Sequence, residues 1–255
     1  MTRTESNIVL FSITLCWASS YIFIKNIPDS ISAFAYLTMT TGIASIILAV
    51  VFFKRLKEFN RKILARSFIA AAIICANLVF ERMGITKIPA STASFVASLN
   101  IVFVPLFMLI FKRKLTPNHI AGIILILTGL VFTSGLKPGD SINPGVLAMA
   151  AGCIFMAAYI LTIDHFTKTS DPLILGIGQM FFTAIISFIL WFIEDPKTFF
   201  SLSYTNEILA NIFMLAFFAK AYAYIMLMYS QKYASPISVT VIASMEPVVT
   251  MVLAL

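Results

Sequence analysis

The chain alternates long apolar runs with short polar breaks. Nine runs stand out, at residues 7–27, 31–53, 64–84, 90–111, 119–134, 144–163, 172–193, 208–229 and 235–255. A bilayer core about 30 Å thick needs about 20 mostly apolar residues per helical span. Eight of the runs meet that length, and the fifth is short but strongly apolar. None alternates as barrel strands do. The pattern predicts nine membrane-spanning helices. The first run is long enough to span and has no basic flank or small-x-small cleavage site, so it reads as a retained helix rather than a signal peptide.

The runs also repeat. Ala97-Ser98-Leu99-Asn100 returns as Ala243-Ser244-Met245-Glu246, and Ser19-Ser20-Tyr21-Ile22 as Ala157-Ala158-Tyr159-Ile160. Both likenesses sit at corresponding places in two similar series of runs. This divides the chain into a first repeat of five helices (residues 1–139) and a second of four (residues 140–255). The second repeat lacks a counterpart to the fifth run, which leaves a tenth span and its turn as an expected continuation. An odd number of helices per repeat inverts the second repeat in the membrane, the arrangement of many secondary transporters.

Composition agrees: 60% of residues are hydrophobic and 11% charged, against about 45–50% and about 25% in soluble domains. Lipid must therefore solvate much of the surface. The formal charge of +7 does not point to nucleic acid, because the basic residues lie in short loops. With the N-terminus inside, 12 lysines and arginines fall on the inner side and 5 on the outer. That asymmetry predicts a cell-membrane protein with a cytoplasmic N-terminus.

With the repeats in place, the residues resemble the drug/metabolite transporter superfamily, in its ten-helix EamA-like branch. The marks are Pro89-Ala90-Ser91-Thr92-Ala93 between the third and fourth runs, the basic turn Phe111-Lys112-Arg113-Lys114-Leu115-Thr116, and the following helix with Gly122 and Gly129. Ser244-Met245-Glu246-Pro247 looks like the family's Ser-Leu-Glu-Pro pattern. Two places depart from the family: Lys112-Arg113 stands where a Gly-Glu pair is common, and Asn100-Ile101 replaces Glu-Pro. The resemblance implies an all-α bundle whose inverted repeats enclose a cavity. It further implies transport of a small metabolite, often outward, by alternating access.

Several polar residues in the runs are candidates for a substrate or coupling site. Lys220 lies mid-helix, where a charge costs about 2.5–3.5 kcal/mol on insertion scales. It reads either as an anchor for substrate or as a structural lysine paired to a neighbouring helix, and Tyr224 lies one turn on. Glu246, before Pro247, reads as a proton- or cation-coupling carboxylate or as a bonded group at a helix bend. A Lys220–Glu246 pair across the eighth and ninth helices is the expected coupling. Asn100 holds the matching place in the first repeat, where it binds substrate or another helix. Trp17, Tyr21 and Lys25 share one face of the first helix, and Tyr159 is the counterpart of Tyr21. Together with Gln179, which shares a face with Thr183, the aromatic residues line a cavity or pack a core. Glu81-Arg82 reads as an interfacial pair at the outer surface.

Signs of an enzyme are missing. His119 and His165 stand outside any metal-binding spacing, and no phosphate-binding Gly-Lys-Ser/Thr loop exists. Cys16, Cys75 and Cys153 all lie within apolar runs, with no disulfide or metal site expected. The reading is a transporter, an exporter in the sense of the resemblance, of an amino acid or related amphipathic solute, with no cofactor and protons as a candidate coupling ion. An intramembrane enzyme acting on a lipid-soluble substrate is the alternative.

Overall fold

The computed structural model describes residues 2–110, 117–134, 143–196 and 204–253. The basic turn at 111–116 and the polar turn at 137–140 lie outside the described residues. Helices account for the fold, and no strand occurs among the described residues. In chain order they are α1 (Arg3–Lys25), α2 (Ala33–Val51), α3 (Arg61–Ile85), α4 (Ala90–Ala97), α5 (Asn100–Ile110), α6 (Pro117–Ser134), α7 (Pro144–Thr167) and α8 (Pro172–Glu194). Then come α9 (Asn206–Met214), a π-helical stretch (Leu215–Tyr222), α10 (Ala223–Gln231), α11 (Pro236–Ala243) and α12 (Glu246–Leu253). Among the described residues, eight helical stretches are long and apolar enough to cross a membrane, so the chain is a multi-pass membrane protein. The fifth apolar run forms α6.

Local sequence sets the helix ends. Thr2 and Glu5 form a capping box at the start of α1, so two backbone donors are satisfied reciprocally. Asn60 caps α3 through Ile63 N at 3.0 Å. Asp171 caps α8 through Leu173 and Ile174, with Pro172 at the first helical position, where its missing N–H costs nothing.

The fourth and ninth runs are each broken, against the continuous helix expected. α4 gives way to α5 at Ser98–Leu99, and α11 to α12 at Ser244–Met245. At the first break the bonding tightens to three-residue steps, with Leu99 N bonding to Val96 O and Val102 N to Leu99 O, both at 2.9 Å. At the second, Met245 N bonds to Ile242 O at 3.1 Å. Pro105 and Pro247 each withhold a backbone donor just beyond the break, and a proline ring also crowds the preceding turn. Ser98 and Ser244 bond back to Ser94 O and Val241 O, which further bends a helix.

Packing is mirrored between the two halves of the chain. α2 lies against α8. α3 packs on α7 and α8, while the segment from α9 to α10 packs on α1 and α2. α1 meets α11 and α12, and α7 meets α4 and α5. At the tightest crossing, Gly84 of α3 and Gly145 of α7 bring backbone to backbone. A Cβ on Gly145 would stand 2.9 Å from Gly84 O. Small residues allow such an approach where lipid supplies no hydrophobic drive between helices.

Candidate functional site

A cavity of about 50 Å³ lies where these mirrored contacts converge. Its walls come from α1 (Trp17, Ser20, Tyr21), α3 (Asn77, Glu81), α7 (Met149, Cys153, Met156, Ile160) and the π-to-α10 region (Lys220, Tyr224). Asn100, beside the first break, and Thr240, Ala243 and Glu246, around the second, complete it. Both broken helices therefore deliver their first polar residue to one space. Discontinuous helices that place such groups near the bilayer midplane are a feature of substrate sites in transporters.

Glu246 is buried and accepts a hydrogen bond from Tyr21 Oη at 3.2 Å. Lys220 is also buried; its Nζ lies 5.6 Å from the centre of the Tyr224 ring, within cation–π range. The Trp17 ring, tilted against that of Tyr224, has its centre 5.7 Å from it. Trp17 Nε1 donates to Ala219 O at 3.4 Å, tying α1 to the π-helical stretch. That stretch carries Lys220 itself; π-helical turns are rare and frequent at functional sites. Asn100 Oδ1 is buried without a hydrogen-bond partner among the described residues. Asn77, opposite, uses its amide on Gly152 O at 3.0 Å.

Lys220, Glu81 and Glu246 share the wall of the cavity. No ion pair within 4.0 Å joins Lys220 to either carboxylate among the described residues. Glu81 and Arg82 do not form an outer-surface pair. Glu81 turns to the cavity, while Arg82 turns to the other side of α3 and donates to the Ile24, Ile27 and Pro28 carbonyls. Adjacent helix positions point about 100° apart, so two neighbours rarely share a partner.

Six of the eight expected residues line the cavity: Trp17, Tyr21, Asn100, Lys220, Tyr224 and Glu246. Tyr159 and Gln179 do not. They are fully buried behind Tyr224, joined by a 2.7 Å hydrogen bond from Tyr159 Oη to Gln179 Oε1. The Tyr159 ring meets that of Tyr224 edge-on at 5.9 Å. They support the wall rather than form it, since Tyr224 occupies the space between. Gln179 Nε2 and Tyr36 Oη are buried without partners in this outer layer. Among the described residues no cluster of His, Cys, Asp and Glu could hold a metal ion.

A model of the EamA-like transporter family matches residues 5–135 and, a second time, residues 143–255. The chain belongs to the EamA-like transporter family. This EamA-like transporter is similar to an uncharacterized transporter of Archaeoglobus fulgidus, 27% identical over 247 residues. That alignment covers 96% of this chain and 76% of the relative. A second uncharacterized transporter of the same organism is 26% identical over 267 residues, covering 99% and 89%. A solved crystal structure superposes with a TM-score of 0.72 over 99% of this chain and 88% of its own. At 17% identity that likeness speaks for the fold alone.

Proposed function

We propose that this EamA-like protein exports a small amphipathic solute bearing an ammonium group, amino acids among them, by alternating access coupled to protons. The observation that carries the reading is the cavity itself. Two carboxylates and one lysine meet the unpartnered Asn100 oxygen there, beside two helix breaks. An ammonium group supplies the donors that Asn100 Oδ1, Glu81 and Glu246 accept. A solute carboxylate has Lys220 as its partner. Met149, Met156, Ile160 and Val239 offer apolar contact.

Residues 1–139 and 140–255 act as the two inverted halves in this reading, with the N-terminus in the cytoplasm. The twofold family match and the mirrored helix contacts support that division. Glu246 is the coupling carboxylate. A proton on it weakens its hold on a cation and changes the bond from Tyr21. A solute ammonium and a proton then compete for one site, which is sufficient for exchange of one against the other.

The test is solute accumulation in sealed everted vesicles, with and without an imposed proton gradient. Wild-type protein accumulates an amine or amino acid against its gradient. Glu246→Gln retains solute exchange and loses gradient-driven accumulation. Lys220→Met loses amino acids more than simple amines, because the carboxylate partner is gone. Gradient-driven accumulation by Glu246→Gln at the wild-type level would refute the coupling role.

A further inference from the structure

The cavity is small for a whole metabolite, with room for only a few water-sized groups. A second space adjoins it. Between α1 and the segment running from α9 into the π-helical stretch lies an apolar groove of about 270 Å³. Ser20 lines both spaces, and Ala219, in the groove wall, directly precedes Lys220 of the cavity. The groove lining nearest the cavity has small side chains, Ser19, Ser20 and Ala219, and the Trp17 bond to Ala219 O crosses here from α1 to the π-helical stretch. The groove's outer rim faces lipid: Leu15 and Phe218 are each 42% exposed.

Sequence explains the division. On α1, Trp17 and Tyr21 fall on the cavity face, whereas Leu15, Cys16, Ser19 and Phe23 fall toward the groove. Ser20 sits at the boundary. The two faces separate polar and charged chemistry from hydrocarbon across a single helix.

We propose that the groove holds the apolar tail of an amphipathic amine whose ammonium group occupies the cavity, and that the molecule reaches the site sideways from the bilayer between α1 and the π-helical stretch. The proposal rests on the cavity being the solute site. Three features select this occupant. The cavity accommodates a head group and not a body. The groove is several times larger and apolar. The cavity's carboxylates outnumber its lysine, which favours a cationic head over an anionic one. A lipid tail alone has no use for the connection at Ser20.

Cys16 lies in the groove and is half-buried, whereas Cys75 and Cys153 are buried. It serves as a native reporter. Wild-type protein in proteoliposomes is labelled with N-ethylmaleimide, and the adduct on the Cys16 peptide is followed by mass spectrometry. Dodecylamine, ethylamine and dodecanol are compared as protectants. At ten times its half-protecting concentration, dodecylamine slows labelling about tenfold. Ethylamine, which fills the head site alone, leaves the rate unchanged, and dodecanol does the same. Ser19→Phe, which places a ring in the groove away from the cavity wall, removes the protection while ethylamine accumulation persists.

Amine accumulation without any effect of dodecylamine on Cys16 overturns the groove and leaves the cavity reading in place. Equal protection by dodecanol overturns the proposal as well, because the groove then takes hydrocarbon without reference to the cavity. Neither accumulation nor protection with any amine overturns both readings together.

Discussion

Arg82 offers the sharpest test of how the C-terminal end of α1 is held. It is 3% exposed and donates to Ile24 O at 3.0 Å, Ile27 O at 3.1 Å and Pro28 O at 3.0 Å. Its guanidinium also lies 5.5 Å from the Tyr36 ring. It thereby caps the C-terminal end of α1, where the helix dipole favours a cation. Hydrogen bonds involving a charged group contribute about 1.5–3 kcal/mol each, and desolvating the guanidinium cancels several kcal/mol of that sum. Replacing Arg82 by methionine does not strand all three carbonyls. Ile24 O still accepts from Ile27 N and Pro28 O from Ile31 N, each at 3.1 Å; only Ile27 O loses its donor. The net cost is then about 3 kcal/mol, the upper end for leaving one buried carbonyl without its donor, since the contact with the Tyr36 ring goes too. For a chain of this size that corresponds to a melting temperature lower by about 6–12 °C. Arg82→Lys retains the charge without the planar fork, and falls between the two. The assay is thermal unfolding in detergent, followed by tryptophan fluorescence. A melting temperature for Arg82→Met within about 2 °C of the parent would show that the clamp contributes nothing.

Two further changes probe packing and the polar surface. Gly145→Ala places a methyl group 2.9 Å from Gly84 O and should destabilise by about 1–3 kcal/mol. Gly42→Ala in α2 meets nothing within 4 Å and should instead stabilise by about 0.5–1 kcal/mol; the same melting assay should show opposite signs. In the turn after α2, hydrogen bonds from the Arg55 guanidinium hold the Glu58 carboxyl below its usual range. A lowered folded value means the stabilisation is present above the unfolded value of about 4.3 and is lost as pH falls through the folded one. Wild-type and Glu58→Gln melting curves should therefore differ slightly at pH 7, converge once pH falls below the folded value, and also converge in high salt because the pair is exposed.

The helices were legible in the sequence because length and hydropathy alone decide whether a segment can span. Their internal breaks were not, although the sign was visible. Ala97-Ser98-Leu99-Asn100 and Ala243-Ser244-Met245-Glu246 drew notice as a repeat, and the recurring feature they mark is the break itself. Helical period placed Tyr159 and Gln179 on an inward face, but period cannot tell the cavity wall from the layer behind it. That depth depends on Tyr224, from another helix. The third charged group of the cavity was equally hidden. Glu81 joins Lys220 and Glu246 on its wall but comes from α3, distant in sequence and disguised by Arg82 beside it. The π-helical stretch around Lys220 has no signature in composition.

The cross-chain hydrogen bonds have a consequence for biogenesis. α1 emerges early from the ribosome, yet its polar partners are made late. Ser6 Oγ bonds to Ser230 O, Trp17 Nε1 to Ala219 O and Tyr21 Oη to Glu246, while Thr250 Oγ1 returns to Ala18 O. In α3, Ser67 and Asn77 likewise wait for Leu175 O and Gly152 O. Until those residues insert, the early helices hold polar groups in a solvent that cannot hydrogen-bond them. Assembly in the membrane thus closes from the first helix to the latest ones. A chain interrupted before α10 lacks the partners that Ser6, Tyr21 and Ala18 O find in Ser230, Glu246 and Thr250.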